Sequence, residues 1–297
     1  MAELGSISNL DLSNGLGNIE RTILAQDERG ISKLAAYLPP DFCARTAKLL
    51  TKHMARVLLI SGFYVNGFPE TDGPPGTAAL AHALLHLGSE VMVVTDQISF
   101  EVTRAITPPT ISCIEFPMLE DTASSDWASN LLKNYQPTIV GFIERPGPTK
   151  RGVYLNMMCN DITKHCGLTH HLLSKDIPSF GVGDGGNEVG MGSYHRVLIQ
   201  ENIVEDPCCA ATDELVIASI SNWGALGIVA ELAKLSGKDL LPHPEMEEAR
   251  LRAMLRRGAV DGFSGISELK VDGRDLEIYM QVLIELRKLV GQKGEIS

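Results

Sequence analysis

Apolar residues along this chain fall into short unbroken runs and longer stretches with helical spacing. Val57-Leu58-Leu59-Ile60 is an unbroken run that breaks at Ser61-Gly62, the mark of a strand buried on both faces. Glu90-Val91-Met92-Val93-Val94-Thr95-Asp96 is a second strand. Between them, residues 77–87 are apolar almost all round and stop at Gly88, where a helix C′ glycine belongs. The alternation predicts further strands over 111–116, 138–142, 179–183 and 215–220. It predicts helices from a cap at Asp126 to Tyr135, over 153–173, and over 224–235 ending at Gly237. Pro244 opens a charged helix to Arg257, and a last helix covers 275–290. Before residue 53 the chain reads as helical and loop-rich, with Asp41 placed to cap a helix over 42–50. Strands separated by helices pair in parallel, because parallel neighbours need a long crossover. The expected fold class is α/β: a doubly wound, mostly parallel sheet of about six strands with helices on both faces. A helical lead-in, 1–53, is expected to pack on it, the whole of 1–297 forming a single domain.

Composition narrows the picture. A chain 44% hydrophobic but only 5% aromatic suits an aliphatic α/β core better than a β-sandwich. The formal net charge of −11 excludes a nucleic-acid binder, which needs clustered Lys and Arg, and an anionic membrane surface. No run approaches the roughly 18–20 apolar residues that cross a bilayer. The start, Met1-Ala2-Glu3-Leu4-Gly5-Ser6, has no basic segment followed by an apolar one, and Glu3 and Asp11 fit a transit peptide poorly. The cysteines contain no C-x-x-C and read as reduced thiols. The expectation is a cytoplasmic protein with a small-molecule partner, no nucleic acid and no membrane; a homo-oligomer stays open.

Ligands of open α/β sheets bind beyond the carboxyl ends of the strands. Those ends deliver Glu70, Asp72, Asp96, Glu144, Asp184 and Glu188, set among glycines. Acids crowded on one rim repel unless a hard divalent cation, protons held by raised pKa values or a cationic amine offsets them. Mg²⁺ or Mn²⁺ suits oxygen ligands. Each acid taken singly is a solvated loop residue; the set points to a site. Gly181-Val182-Gly183-Asp184-Gly185-Gly186 satisfies G-x-G-x-x-G, yet Asp184 would face the pyrophosphate and the glycines beyond it would not open a helix, so no nucleotide is expected. Asp72-Gly73-Pro74-Pro75-Gly76 is no P-loop, but its amides could offer an anion site at a helix start. Cys159, His165, Cys166, His170 and His171 fit no tight zinc spacing and read as packing residues. Cys208-Cys209 reads as structural, His243 as a surface turn residue, and no G-x-S-x-G serine elbow ends a strand.

Four stretches carry a family likeness: 67–76, Glu144-Arg145-Pro146-Gly147, Tyr154-Leu155-Asn156-Met157 with Asp161-Ile162, and 183–192. Val260-Asp261-Gly262 and Val271-Asp272-Gly273 add to it. Together they resemble the D-glutamate cyclases, over nearly the whole chain from about Ile19 to the C-terminal helix. The resemblance implies a lyase that closes D-glutamate to 5-oxo-D-proline with loss of water, assisted by Mn²⁺. Some family members carry a further domain ahead of this one. On that reading the catalytic set is Glu70, Asp72, Glu144, Arg145, Asp184 and Glu188. Asp72, Asp184 and Glu188 would hold the metal, Glu144 or Glu70 would act as base, and Arg145 would pair with the substrate α-carboxylate. Gly73, Asn156, Gly185, Gly186, Asn187 and Asn222 would bind substrate, the amides of Gly185 and Gly186 facing the oxyanion. The competing readings are a metal-assisted hydrolase of a small lactam or acid, and a non-enzymatic small-acid binding protein.

Overall fold

The structure, a computed structural model, describes residues 15–291. The leader reading and the first part of the lead-in, residues 1–14, lie outside the described residues. The chain begins with α1 (Asn18–Ile23), a 3₁₀ turn (Ile31–Tyr37) and α2 (Phe42–His53). Then come β1 (Arg56–Ser61), a small hairpin of β2 (Tyr64–Val65) and β3 (Phe68–Pro69), α3 (Pro74–His86), β4 (Glu90–Asp96) and α4 (Gln97–Ile106). They are followed by β5 (Ser112–Phe116), α5 (Asp121–Tyr135) and β6 (Ile139–Ile143). The second half contains β7 (Ser179–Gly183), α6 (His195–Gln200), β8 (Glu214–Ile217), α7 (Ser221–Ser236) and α8 (Pro244–Leu255). It ends with the short ladder of β9 (Lys270–Val271) with β10 (Arg274–Asp275), and α9 (Leu276–Leu289).

Six strands form one sheet in the order β5-β4-β1-β6-β7-β8, and every pairing is parallel. The strand order reverses between β1 and β6, so a crevice opens beyond their carboxyl ends. Side chains alternate across the pleat. Val57, Leu59, Val93, Ile139, Phe180 and Val182 join the larger core, whereas Leu58, Ile60, Val94, Val140 and Phe142 join a smaller one on the opposite face. The larger core takes in α3 and α7 and also the lead-in, whose Ile19, Ile23, Leu34, Phe42 and Cys43 are buried in it.

The strands lie where the unbroken apolar runs placed them, within a few residues. The largest departure is 153–173, expected as a helix. The chain there forms two 3₁₀ turns, Thr163–His165 and Thr169–Leu172, and isolated bridges of Tyr154 with Pro148 and of Leu155 with Asp161. Asn156 explains much of this: its carboxamide oxygen accepts from the amides of Met158 and Asn160, a turn that competes with helix. Cys159 adds a left-handed backbone, φ 57°. The smaller core is therefore covered by α5 and by this irregular segment. α5 itself starts at Asp121, with Glu120 rather than Asp126 in the cap position. α7 starts at Ser221 rather than 224, and Asp41 stands at the cap of α2 without a side-chain cap bond. Among the described residues no helix is long and apolar enough to cross a membrane.

Candidate active site

Two helix starts meet at the crevice, and each is capped from the other. Asp72 accepts from the amides of Ser221 (2.8 Å), Asn222 (2.8 Å) and its neighbour Gly73 (2.9 Å), closing the N-terminus of α7. Asn222 Oδ1 in turn accepts from the amides of Gly73 (3.0 Å) and Gly76 (2.8 Å) at the start of α3, while its Nδ2 donates to Thr71 O (3.1 Å). The anion site expected at the start of α3 is thus filled by Asn222. Gly73 (φ 92°) must be glycine: a Cβ there would lie 2.8 Å from Glu144 Cβ and 2.8 Å from Ser61 Oγ. The gap lets the loop after β1 press against the end of β6.

Glu70, Asp72, Glu144, Asp184 and Glu188 do converge, all buried. Two overlapping groups of acids have oxygens within 4.8 Å of one another: Asp72, Asp184 and Asp272, and Glu144, Asp184 and Glu188. Glu188 is held by the amides of Asp184 (3.0 Å), Gly185 (2.6 Å) and Gly186 (2.7 Å). The Gly185 and Gly186 amides therefore serve Glu188 and are not free to face a substrate oxyanion. Glu144 sits at φ 44°, a left-handed backbone that non-glycine residues seldom adopt. Its Oε2 accepts from Ser221 Oγ at 2.6 Å. Burial, followed by Glu188 and Asp72, pushes the Glu144 pKa well above the carboxylate range. Burial, Asp272 and Asp72 do the same to Glu70. Burial raises Asp184 strongly too, against the pull of Arg29. Asp72 is pushed up to about 7 by burial and Asp272, against the amides that favour its charged form. Glu70 Oε1, Asp184 Oδ2 and Asp272 Oδ1 are buried with no hydrogen-bond partner.

The pocket holds ≈ 290 Å³ and is lined by Glu70, Glu144, Asn156, Asn187, Arg29 and Phe263, among others. Asn187 Nδ2 is engaged by Leu155 O (2.9 Å). Arg145 does not line the pocket. It is fully buried behind it, paired with Asp96 (2.7 Å) and donating to Gly62 O (2.7 Å), Gly167 O (2.7 Å) and Thr169 Oγ1 (3.0 Å). All its directions are spent on the protein, so the expected contact with a substrate carboxylate is corrected. The cation of the pocket is Arg29, from the lead-in. It pairs with Asp184 and with Asp272 (2.8 Å) and lies 5.7 Å over the Phe263 ring. Burial opposes its charge, but Asp184 and Asp272 outweigh burial and raise its pKa well above the ordinary arginine value.

Arg29 and Asp272 carried no assigned role in the sequence. Asp272 lay within a stretch of family likeness, and its φ of 48° is the kind of strained backbone that marks a site. Asp261 fixes that turn by accepting from the amides of Gly273 (2.7 Å) and Ser264 (2.7 Å). The turn is drawn to the crevice because Val260 and the loop after β1 exchange backbone bonds, Thr71 N to Val260 O (2.9 Å) and Val260 N to Pro69 O (2.9 Å).

The chain is 30% identical to D-glutamate cyclase, mitochondrial, of Homo sapiens over 314 aligned positions, which cover 90% of this chain and 50% of that protein. It thus spans about half the length of that curated relative. The family model described as D-glutamate cyclase-like, C-terminal, matches residues 19–287, from α1 through to α9, and the chain belongs to that family.

Proposed function

We propose that this chain closes D-glutamate to 5-oxo-D-proline with release of water. The observation that carries the reading is the pair of pocket-lining acids, Glu70 and Glu144, buried with raised pKa values beside the Arg29 guanidinium. A raised pKa makes a carboxylate a stronger base and leaves a protonated carboxyl available as an acid, so the two can divide the proton transfers between them. In the reaction the substrate ammonium loses its protons and the amine nitrogen attacks the δ-carbon. One C–N bond forms, one C–O bond breaks, and the departing oxygen leaves as water with the protons that the amine released. Glu144, fixed by Ser221, takes a proton from the amine, and Glu70 gives one to the departing oxygen. Arg29 receives the α-carboxylate, the role that a guanidinium fills through paired N–H donors.

A divalent cation fits the acids beside this pair. The unpartnered Asp184 Oδ2 and Asp272 Oδ1 are hard oxygen donors of the kind Mn²⁺ and Mg²⁺ take. These two residues would hold the ion, with Asp72 and Glu188, whose oxygens already accept backbone amides, bordering it. The ion would polarise the reacting carboxylate as a Lewis acid.

The test is metal-depleted protein given D- or L-glutamate, then Mn²⁺ or Mg²⁺, with the product resolved by chiral chromatography. The expected result is 5-oxo-D-proline from D-glutamate, formed faster with the ion. Thermal stabilisation by D-glutamate without any consumption would instead make this a binding protein. Hydrolysis of lactams with no cyclisation would make it a hydrolase.

A further inference from the structure

Outside the acidic pocket, one cluster of side chains has the make-up of a transition-metal site. Ligand-type atoms of Asp121, His170 and His171 lie within 4.8 Å of one another. Asp121 opens α5, and the two histidines sit in the 3₁₀ turn Thr169–Leu172. The histidine rings lie 4.1 Å apart, and His171 Nε2 is 2.8 Å from Asp121 Oδ1. His170 Nδ1 is hydrogen-bonded to the hydroxyl of Tyr154, which is almost wholly buried. Metal-binding histidines are oriented in this way: one ring nitrogen meets a fixed oxygen and the other is presented as the ligand. The neighbouring Cys159, Cys166 and His165 do not join the group; His165 stacks on Tyr64 at 4.3 Å instead.

The location gives such a site a purpose. Residues 144–178 run from β6 to β7 with two 3₁₀ turns and isolated β-bridges but no helix or strand. Long irregular segments inside compact folds need anchors. The inner side of this one is anchored by Arg145, which donates to Gly167 O and Thr169 Oγ1. Its outer side meets α5 at the two histidines, where the Asp121–His171 contact is the pairing that ties the turn to the helix. Two nitrogens and one oxygen, with one position left for water, make a tetrahedral set of the type zinc accepts.

We propose that Asp121, His170 and His171 bind a zinc ion that staples the β6–β7 segment to α5. The site is separate from the acidic pocket, and the proposal holds whether or not the cyclase reading does.

The test loads chelator-stripped full chain with Co²⁺ as a spectroscopic stand-in for zinc and then titrates Zn²⁺ against it. The expected result is one equivalent with the intense visible bands of tetrahedral Co²⁺, displaced by Zn²⁺, any further Co²⁺ on the oxygen ligands of the acidic pocket adding only weak six-coordinate bands. His171→Gln and Asp121→Ala should each weaken binding at least tenfold. Asp121 is exposed, so its variant keeps the fold, and near-UV circular dichroism checks this. Asp272→Asn, in the acidic pocket, should leave the bands unchanged. Only weak octahedral Co²⁺ bands, equal zinc affinity in wild type and Asp121→Ala, or bands lost in Asp272→Asn would each overturn the assignment.

Discussion

Glu144 combines a left-handed backbone, a buried position at the pocket wall and a hydrogen bond from Ser221. Positions with that much local cost persist where chemistry needs them. Glu144→Gln keeps the shape but cannot exchange a proton, so it should lower kcat by about 10²–10⁴-fold while the chain stays folded, with a melting temperature close to wild type at acid pH; steady-state turnover of D-glutamate alongside calorimetry reads both. Ser221→Ala should cost less, since it frees the carboxyl without removing it. The raised carboxyls also make a thermodynamic statement. The native chain holds protons that the unfolded chain gives up, so these groups contribute most to stability below the ordinary carboxyl range, and that contribution is lost as pH rises through the native values. For Asp72 the window runs from 3.8 to about 7, and for Glu70 and Glu144 it extends upward from 4.5. Melting curves of metal-free wild type and Glu70→Gln should converge at acid pH. They should separate as pH rises from 5 to 8, with the variant the more stable. An opposite divergence would mean that Glu70 is ionised and compensated in the native state.

Between helices, Asp72 and Asn222 form a reciprocal latch: each side chain satisfies amides at the start of the other's helix. Asn222→Ala strands the buried Gly76 N–H, while Gly73 N–H keeps Asp72 as acceptor, and should cost about 1–3 kcal/mol, seen as a lower urea midpoint with an unchanged m-value. Both residues were assigned to substrate or metal from the sequence, where a polar residue at a strand end looks the same whether it caps or catalyses. Arg145 was misread for the same reason. Its partners Asp96, Gly62, Gly167 and Thr169 come from three separate segments, and only the folded chain shows that they surround the guanidinium. The β-strands were legible because a strand buried on both faces leaves a local mark, as at Val57-Leu58-Leu59-Ile60 and 179–183. Residues 153–173 were not, since Val153, Tyr154, Leu155 and Met157 are apolar enough to suggest a helix while the Asn156 turn undoes it. The convergence of Glu70, Glu144, Asp184 and Glu188 was legible from topology alone, because parallel strands carry all their carboxyl ends to one edge.

The pocket as a whole is closed by parts of the chain that are far apart: Arg29 from the lead-in, Glu70 and Glu144 from the sheet edge, and Phe263 from the segment before β9. The whole set therefore lies within a chain that covers only half of its human relative. A protein beginning at residue 54 would lose Arg29 and, with it, Ile23, Leu34, Phe42 and Leu50, leaving uncovered the larger core in which they are buried. At about 1.5–3 kcal/mol for each buried side chain, that loss rivals the roughly 5–15 kcal/mol by which domains are stable. Truncation thus cannot isolate the guanidinium's chemical part, whereas substitution can. Arg29 is 17% exposed and touches the pocket, while Arg145 is wholly enclosed. Arg145→Met should unfold or destabilise the chain by about 3–5 kcal/mol, because it leaves Asp96 buried and unpaired. Arg29→Lys keeps the charge beside Asp184 and Asp272 but loses the paired donors, so it should fold normally and raise the KM for D-glutamate at least tenfold. If the two variants behaved alike, with Arg29→Lys equally unfolded, Arg29 would be a brace for Asp184 and Asp272, and the pocket would need another group to meet the carboxylate.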